Sequence, residues 1–286
     1  MPCSFVIYCH PEIDLPKGTV MGKRLHDGFL ALLSPSDSQI TQQISRSKVT
    51  PFTLSPLFGK VERGGVSFRE HIREGNFSCT DRIKAGTLCR LRVSVLDDSL
   101  GKRMEEIVGG FRGGISLSIG GIPLKIGDAF FARESRDPWV NWKGYRELYE
   151  DASPSMLRVT LQFVTATAFE RRSGSLPLPD PQLVFMGYLD QWRCFSPVPF
   201  SSSFTEMIDR FILLTDFNIS PVSYETGEGK QRGFTGWCEF FLAGRHPEKQ
   251  IREFNALVDY AFYCGTGRDT TLGMGVTRRV SGTLRR

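Results

Sequence analysis

Residues 265–275 read Gly-Thr-Gly-Arg-Asp-Thr-Thr-Leu-Gly-Met-Gly. Two Gly-x-Gly pairs enclose an arginine, so the backbone can adopt positive φ there and present its N–H groups to an anion. A guanidinium inside the loop also suits phosphate. The alternative is a glycine-rich turn before a final strand. Basic residues within and after the loop favour contact with phosphate or nucleic acid.

The elements around this glycine loop separate it from the nucleotide-binding loops. Residues 251–263 have a helical pattern, and residues 276–280 are too short and arginine-rich for a crossover helix. A dinucleotide-binding fingerprint runs strand, glycine loop, helix, and a Walker loop needs Gly-Lys-Ser/Thr, which the chain lacks. The loop is therefore predicted to connect a helix to a strand and to touch a polyanion.

Composition indicates a soluble globular protein of one large or two modest domains. The chain has 286 residues, a net charge of +5, 40% hydrophobic and 23% charged residues. No run approaches the ~18 apolar residues of a membrane span, and the N-terminus reads as a strand rather than a signal peptide. Seven scattered cysteines without a Cys-x-x-Cys pair indicate reduced thiols and no zinc site. We expect a cytoplasmic protein that needs no metal and no cofactor.

Hydrophobic periodicity predicts the same order of elements in both halves: strand, helix, strands, helix, strand. The first half has strands at 4–8, 51–58, 88–96, 115–119 and 123–133 and helices at 21–33, 36–47 and 100–108. The second has strands at 157–168, 211–224, 233–243 and 276–280, helices at 181–195 and 248–263, and a polar turn at 225–232. Alternation in strand 88–96 places Arg90 and Arg92 on an exposed face.

This order predicts an α+β fold of two tandem ferredoxin-like (RRM-like) domains. The expected boundaries are residues 1–137 and 156–286, with a linker at 138–155 and the glycine loop in the second domain. Trp139 and Trp142 lie in the linker, where they are either exposed for stacking on unpaired bases or buried between the domains.

Five segments together resemble one family, the CRISPR-associated endoribonucleases of the RAMP group, which cut repeat RNA into guide RNAs. They are residues 25–30 (LHDGFL), 50–57 (TPFTLSPL), 163–169 with 176–181 (FVTATAF, LPLPDP) and Trp192, 233–237 (GFTGW), and the Gly-x-Gly-x(5)-Gly-x-Gly loop. They span nearly the whole chain. The resemblance implies binding of a CRISPR repeat, often a stem-loop, and metal-independent cleavage in which a 2′-hydroxyl attacks the adjacent phosphate. It implies 5′-hydroxyl and 2′,3′-cyclic phosphate products, and continued association with the guide complex.

The residues that carry this chemistry are expected in the first half. Such a reaction needs a base, an acid and cations against the developing charge. The family often has a histidine before the segment at 50–57, and Ser45 occupies about that position here. His26 is the nearest histidine and is either an amphipathic-helix residue or the acid or base. His26, Ser45 and Lys48 are the catalytic candidates, and Arg46 with Lys48 is suited to hold the scissile phosphate.

RNA contacts are expected from basic residues at loops and strand ends and from the glycine loop. The candidates are Arg46, Arg171, Arg172, Lys230, Arg232, Gly265, Gly267, Arg268, Gly273, Gly275, Arg278 and Arg279. Two alternatives remain open. One is a weak or inactive relative that holds the repeat hairpin in a CRISPR effector complex. The other is a metabolic enzyme that binds phosphate through the glycine loop. The order helix, glycine loop, strand disfavours this second alternative.

Overall fold

The N-terminal half is a mixed sheet-and-helix unit. The computed structural model describes residues 1–16, 18–33, 38–47, 49–59, 82–109, 116–130, 137–171, 174–226 and 229–280. In its first half lie strands β1 (Cys3–Pro11), β2 (Phe52–Leu54), β3 (Phe58–Gly59), β4 (Cys89–Val95), β5 (Ser116–Ile119), β6 (Ile122–Phe130) and β7 (Asn141–Trp142), and helices α1 (Lys23–Leu33), α2 (Ser38–Arg46) and α3 (Asp98–Gly109).

The C-terminal half follows the same plan. Its strands are β8 (Arg158–Thr167), β9 (Phe169–Arg171), β10 (Gly174–Leu176), β11 (Ile212–Thr226), β12 (Gly229–Leu242) and β13 (Thr277–Val280). Its helices are α4 (Tyr145–Glu150), α5 (Pro181–Phe195), α6 (Phe204–Phe211) and α7 (Glu248–Cys264), with a 3₁₀ turn at Thr270–Leu272. Helix α5 begins as its sequence predicts: Asp180 accepts hydrogen bonds from the N–H groups of Gln182 and Leu183, and Pro181 occupies the first turn.

The two sheets have equivalent strand orders, which confirms the predicted tandem ferredoxin-like fold. The first runs β2-β4-β1-β6-β5, and the second runs β11-β12-β8-β13. If β3, β5, β7, β9 and β10 are left out of the count, each unit places its second, third, first and fourth strands side by side: β2-β4-β1-β6 and β11-β12-β8-β13. The neighbours along both orders are antiparallel. This is the split βαβ arrangement expected from the element order.

One face of each sheet packs against helices and forms that unit's core. Phe5, Leu91 and Val93 of the first sheet pack with residues of α1 and α3 such as Phe29 and Met104. In the second sheet, strands β8 and β12 pack with α5 and α7, around side chains such as Phe185 and Phe254. The opposite faces of both sheets contribute to a third cluster of Val6, Trp139, Val164 and Val276. The linker tryptophan Trp139 is thus buried between the domains.

The prediction that Arg90 and Arg92 are exposed is wrong. Alternation along β4 is correct, but the second face of the sheet is covered, so the exposed fractions of Arg90 and Arg92 are only 5% and 3%. Arg90 pairs with Asp137, and Arg92 donates to the backbone carbonyl of Phe262 in the other domain. Because polar residues on one face of a strand usually indicate solvent, the sequence did not reveal this interface.

The predicted polar turn at residues 225–232 is also wrong in extent. Strands β11 and β12 continue to the register pair Thr226–Gly229, so Lys230 and Arg232 lie within β12. Pairing of β12 with β8 begins only at Phe234. The two strands therefore extend past β8 as a two-stranded ribbon, on which Lys230 and Arg232 are exposed.

The segment predicted as a linker contains ordered elements. Strand β7 pairs with β1, and α4 lies between β7 and β8. Tyr145 of α4 donates a hydrogen bond to the carbonyl of Leu96 in the first half and packs against Trp192 in the second. Among the described helices, none has the length and apolarity needed to cross a bilayer.

Two glycines inside helices give a matched test of this packing. An ideal Cβ at Gly28 of α1 would lie 2.1 Å from the backbone oxygen of Ser118 in β5, whereas one at Gly187 of α5 meets nothing within 4 Å. We expect Gly28→Ala to lower the free energy of unfolding by about 2 kcal/mol, because the helix must move off the sheet. Gly187→Ala should instead raise it by about 0.5–1 kcal/mol. Urea denaturation measures both; equal effects would contradict the close approach of α1 to β5.

Candidate functional site

The glycine loop is folded tightly onto strand β8. All four of its glycines have positive φ. At Gly267 an ideal Cβ would lie 2.2 Å from the backbone oxygen of Ala168, and at Gly275 it would lie 2.1 Å from that of Thr266. No other residue fits at these two positions without displacement of backbone. Glycine is therefore required here by the loop's own packing, whatever the loop binds.

Most N–H groups of the loop donate to the protein itself. Those of Arg268 and Gly275 donate to the carbonyls of Ala168 and Ala166, at 2.9 and 3.0 Å, and that of Thr266 donates to Gly275 at 2.8 Å. Gly267 is exposed, and its N–H makes no hydrogen bond within the part of the chain that the structure describes. Of the predicted loop contacts, the Gly267 N–H is the group placed to meet an anion from solvent.

The loop contacts the beginning of α1 and the segment around β2. The N–H of Gly22 donates to the carbonyl of Leu272 at 2.7 Å. An ideal Cβ at Gly273 would lie 3.1 Å from the backbone nitrogen of Pro56, and the N–H of Leu57 donates to Val20 at 2.8 Å. These contacts join the C-terminal glycine loop to two of the N-terminal segments that carry the family resemblance.

His26 lies one helical turn from this junction. Its backbone N–H donates to the carbonyl of Gly22, and its ring stacks on Phe52, with centroids 5.8 Å apart and planes inclined by 21°. The side chain is 22% exposed, and Nδ1 lies 3.3 Å from Oδ1 of Asp27. Nε2 makes no hydrogen bond to any described residue. One ring nitrogen is thus oriented by a carboxylate, while the other is available to a ligand.

The Asp27 carboxylate beside His26 stays ionised at neutral pH. Partial burial acts to raise its pKa, but hydrogen bonds and charge from Lys23 and His26 together lower the pKa below its usual value. Nζ of Lys23 lies 3.0 Å from Oδ2 of Asp27. Asp27 is therefore an anion held beside Nδ1 of His26.

The other catalytic candidates lie in or after α2. This helix packs against α1 through Ile40 and Ile44. Ser45 lies in the last turn of α2, and Arg46 is its last residue, with an exposed side chain. Lys48 lies outside the described residues. The roles of Ser45, Arg46 and Lys48 stay predictions.

The basic candidates divide into exposed and paired groups. Lys230 and Arg232 are exposed on the β11–β12 ribbon, and Arg171 is exposed but bonded to Asp180 at 2.8 Å. Arg46 is also exposed, whereas three candidate arginines are partly buried and hydrogen-bonded: Arg268 to Asp269, Arg278 to Gln162, and Arg279 to Asp259 and Asn255. Arg172 lies outside the described residues. The exposed group is the better placed to follow an RNA backbone.

The other described histidines have structural surroundings. The ring nitrogens of His246 lie 2.7 Å from the carbonyl of Ala243 and 3.1 Å from the side chain of Gln250. Nδ1 of His10 lies 3.4 Å from the carbonyl of Gly86, and His71 lies outside the described residues. No group of three or more His, Cys, Asp or Glu among the described residues is arranged to hold a metal ion.

Sequence reasoning missed one residue of this region, Tyr224. It is 5% exposed and packs with Met21, which precedes Gly22, and with Met274 of the glycine loop. Burial raises the pKa of its hydroxyl to about 12, so the group is protonated. Alternation along β11 could have marked it as an inward-facing residue, but not what it faces.

Comparisons with known proteins agree with the earlier resemblance. A family model for the CRISPR Cas6 N-terminal domain matches residues 1–150, and one for the CRISPR-associated endoribonuclease Cas6 matches residues 161–277. The CRISPR-associated endoribonuclease Cas6 of Mycobacterium tuberculosis strain H37Rv is 24% identical over 131 residues, which are 44% of this chain. The match spans only 40% of the length of that curated relative.

Solved structures match over almost the full chain. A Cas6 product complex has a TM-score of 0.78 and 27% identity, and covers 98% of this chain and 100% of the other. Thermus thermophilus Cas6 has a TM-score of 0.71 and 25% identity, and covers 98% of each chain. A RAMP protein described as binding different RNA substrates has a TM-score of 0.58 and 12% identity over 98% of this chain, which shows a shared fold alone.

The tight packing of the loop predicts an unequal response of two glycines to substitution. Gly267→Ala combines positive φ with a Cβ placed 2.2 Å from the Ala168 oxygen, whereas Gly121→Ala has positive φ and no atom within 4 Å. We expect Gly267→Ala to cost about 3 kcal/mol of unfolding free energy and Gly121→Ala about 1 kcal/mol. Thermal and urea unfolding measure the difference. Equal costs would mean that the loop is free to move away from β8.

Proposed function

Since the chain belongs to the Cas6 family of CRISPR-associated endoribonucleases, we propose that it binds CRISPR repeat RNA and cleaves it to mature guide RNAs. The observation that carries this proposal is the contact of Gly22 with Leu272, which brings the helix turn of His26 beside the glycine loop. The loop that carries the exposed Gly267 N–H therefore contacts the start of the helix that carries the partly exposed imidazole. The cytoplasm, where transcripts of the repeat are made, is the expected location.

We infer a metal-independent reaction that uses groups of the protein and of the RNA. The 2′-hydroxyl attacks the adjacent phosphorus, its proton passes to a base, and an acid protonates the leaving 5′-oxygen. The products are a 2′,3′-cyclic phosphate and a 5′-hydroxyl. Nε2 of His26 is the proposed proton-transfer group, oriented through Nδ1 by Asp27. Arg46 and Lys48 are proposed to stabilise charge on the phosphate, and Ser45 to hydrogen-bond near the reacting groups.

A second candidate function is a weak or inactive subunit that holds the repeat hairpin in a CRISPR effector complex. The observation that favours it is Ser45, at the end of α2, in the region where the family often has a histidine. Both functions use the same RNA surface, so they differ in whether the bound RNA is cut. After cleavage the protein is proposed to remain bound to the guide RNA and to the effector-complex subunits that receive it.

Incubation with the repeat RNA of its own CRISPR array, in EDTA, distinguishes the two functions. We expect one cut whose upstream fragment ends in a 2′,3′-cyclic phosphate, detected by a mass 18 Da below that of the 2′- or 3′-monophosphate, the mass of one water. Tight binding without a cut would favour the hairpin-binding subunit. Failure to bind this RNA, with a scrambled hairpin as control, would contradict both.

His26→Ala tests the assigned proton-transfer group. If Nε2 moves a proton in the transition state, the single-turnover rate at saturating enzyme should fall at least tenfold, which is about 1.4 kcal/mol of barrier. RNA affinity should change little. His10→Ala, which alters a histidine of β1 whose Nδ1 lies beside the Gly86 carbonyl, is the control and should cleave at the wild-type rate. A wild-type rate for His26→Ala would contradict the proton-transfer role and would show that His26 only packs beside Phe52.

The exposed ribbon tests the electrostatic part of RNA binding. The double substitution Lys230→Gln/Arg232→Gln removes two exposed cations from β12. If both contact phosphates, affinity should fall and the slope of log K against log salt should flatten by about 0.7–0.9 per lost contact. Arg193→Gln/Arg210→Gln removes the same charge from exposed positions on α5 and α6. Equal slopes for the two double variants would show that only net charge matters.

A further inference from the structure

The glycine loop begins where α7 ends, and the N-terminal domain satisfies that helix end. The last four carbonyls of an α-helix have no partner within the helix. The carbonyl of Ala261 accepts from Gly265 at 3.0 Å. The next two accept from the other domain: Phe262 from Nη2 of Arg92, and Tyr263 from Oγ1 of Thr53 at 3.0 Å. The start of the loop is thus held by side chains of β2 and β4.

The Arg92 guanidinium donates hydrogen bonds to neutral groups. Its Nε donates to Oγ of Ser4 at 2.7 Å, and that hydroxyl donates to the carbonyl of Trp139 at 2.7 Å. Its guanidinium carbon lies 4.3 Å from the ring centroid of Phe262 and 5.1 Å from that of Trp139. Two aromatic faces and the negative end of a helix dipole compensate the lost hydration of the cation.

Burial, with the nearby charge of Arg90, lowers the pKa of Arg92 to about 9, so the side chain remains charged at neutral pH. A charge in this position is costly unless its partners stay in place. The helix end, the linker tryptophan and β1 are therefore tied to a single site on β4, and small displacements of any of them are opposed.

We propose that Arg92 is a positioning residue for RNA cleavage: by holding the C-terminal end of α7, it fixes the glycine loop in its place against the start of α1, one helical turn from His26. Only two residues lie between Phe262 and Gly265. The loop returns to the N-terminal domain at the Gly22–Leu272 hydrogen bond and at the close approach of Gly273 to Pro56. The loop is thus attached to this domain at both ends. This inference rests on the proposed function for its effect on cleavage.

A purely structural role for Arg92 makes a different prediction. Loss of a buried cation would then lower global stability and leave the native loop as it is. The control is Arg90→Gln, because Arg90 lies two residues away on the same face of β4, is similarly buried and pairs with Asp137. A positioning role requires the loop to respond to Arg92 and not to Arg90.

The experiment compares Arg92→Gln, Arg92→Lys and Arg90→Gln at a temperature where all three are folded by near-ultraviolet circular dichroism. Hydrogen exchange of the peptide spanning residues 265–275 reports on the loop, and single-turnover cleavage of the repeat RNA reports on the site. We expect Arg92→Gln to speed exchange of the loop amides and to slow cleavage, each at least tenfold. Arg92→Lys should recover part of both, since an ammonium can still donate to the Phe262 carbonyl.

Arg90→Gln should leave both measurements within about twofold of the wild type, compared with the change of at least tenfold expected for Arg92→Gln. Wild-type loop exchange and cleavage in a folded Arg92→Gln protein would overturn the inference, as would equal effects of Arg90→Gln. If Arg92→Gln does not fold, Arg92→Lys and Thr53→Val carry the test, with faster loop exchange expected in both and wild-type exchange in both overturning it. Loop exchange decides the claim even if the wild-type protein cuts no RNA, in which case the proposed function fails separately.

Discussion

A positive charge buried between two domains constrains the rest of this structure. The Arg92 side chain loses its hydrating water, and the groups that replace that water come from three parts of the chain: Ser4 in β1, Trp139 before β7 and the end of α7. Each partner must stay within hydrogen-bond or ring-contact distance for the charge to be tolerated. The domains therefore have a defined relation at this interface, and the loop that leaves α7 takes its starting point from the first domain.

The glycine loop meets two demands with the same residues. Its glycines are required because backbone passes against backbone, at Gly267 against β8 and at Gly275 against Thr266. This packing uses most of the N–H groups that a phosphate would need, and it leaves the exposed Gly267 as the candidate donor. The same packing places the loop beside the first turn of α1, where His26 is stacked on Phe52. We therefore propose that the rigid packing of the glycine loop positions the groups of the same loop that contact RNA.

Local patterns predicted the elements well because local physics determines them. Periods of two and 3.6 residues placed the main strands and helices, and the Pro-Asp-Pro sequence before α5 gave its start. The order of elements then gave two ferredoxin-like sheets, since connected strands and helices have few ways to pack. The prediction for Arg90 and Arg92 failed because their exposure depends on a distant surface, and both were assigned to solvent. The prediction of a turn at residues 225–232 failed in extent, because the β11–β12 pairing continues to Thr226 and Gly229.

The sequence by itself determined the element order, the conformational freedom of the glycine loop, and the family to which its motifs belong. It could not tell which polar strand face is covered, nor that Gly22 and Leu272 touch. Alternation and periodicity describe neighbours along the chain, whereas burial of Arg92 and the contact of Gly22 with the loop depend on how two separately formed sheets pack. Only the tertiary structure decides that, because the contacts join residues about 170 to 250 positions apart, as at Arg92–Phe262 and Gly22–Leu272, and no local pattern encodes them.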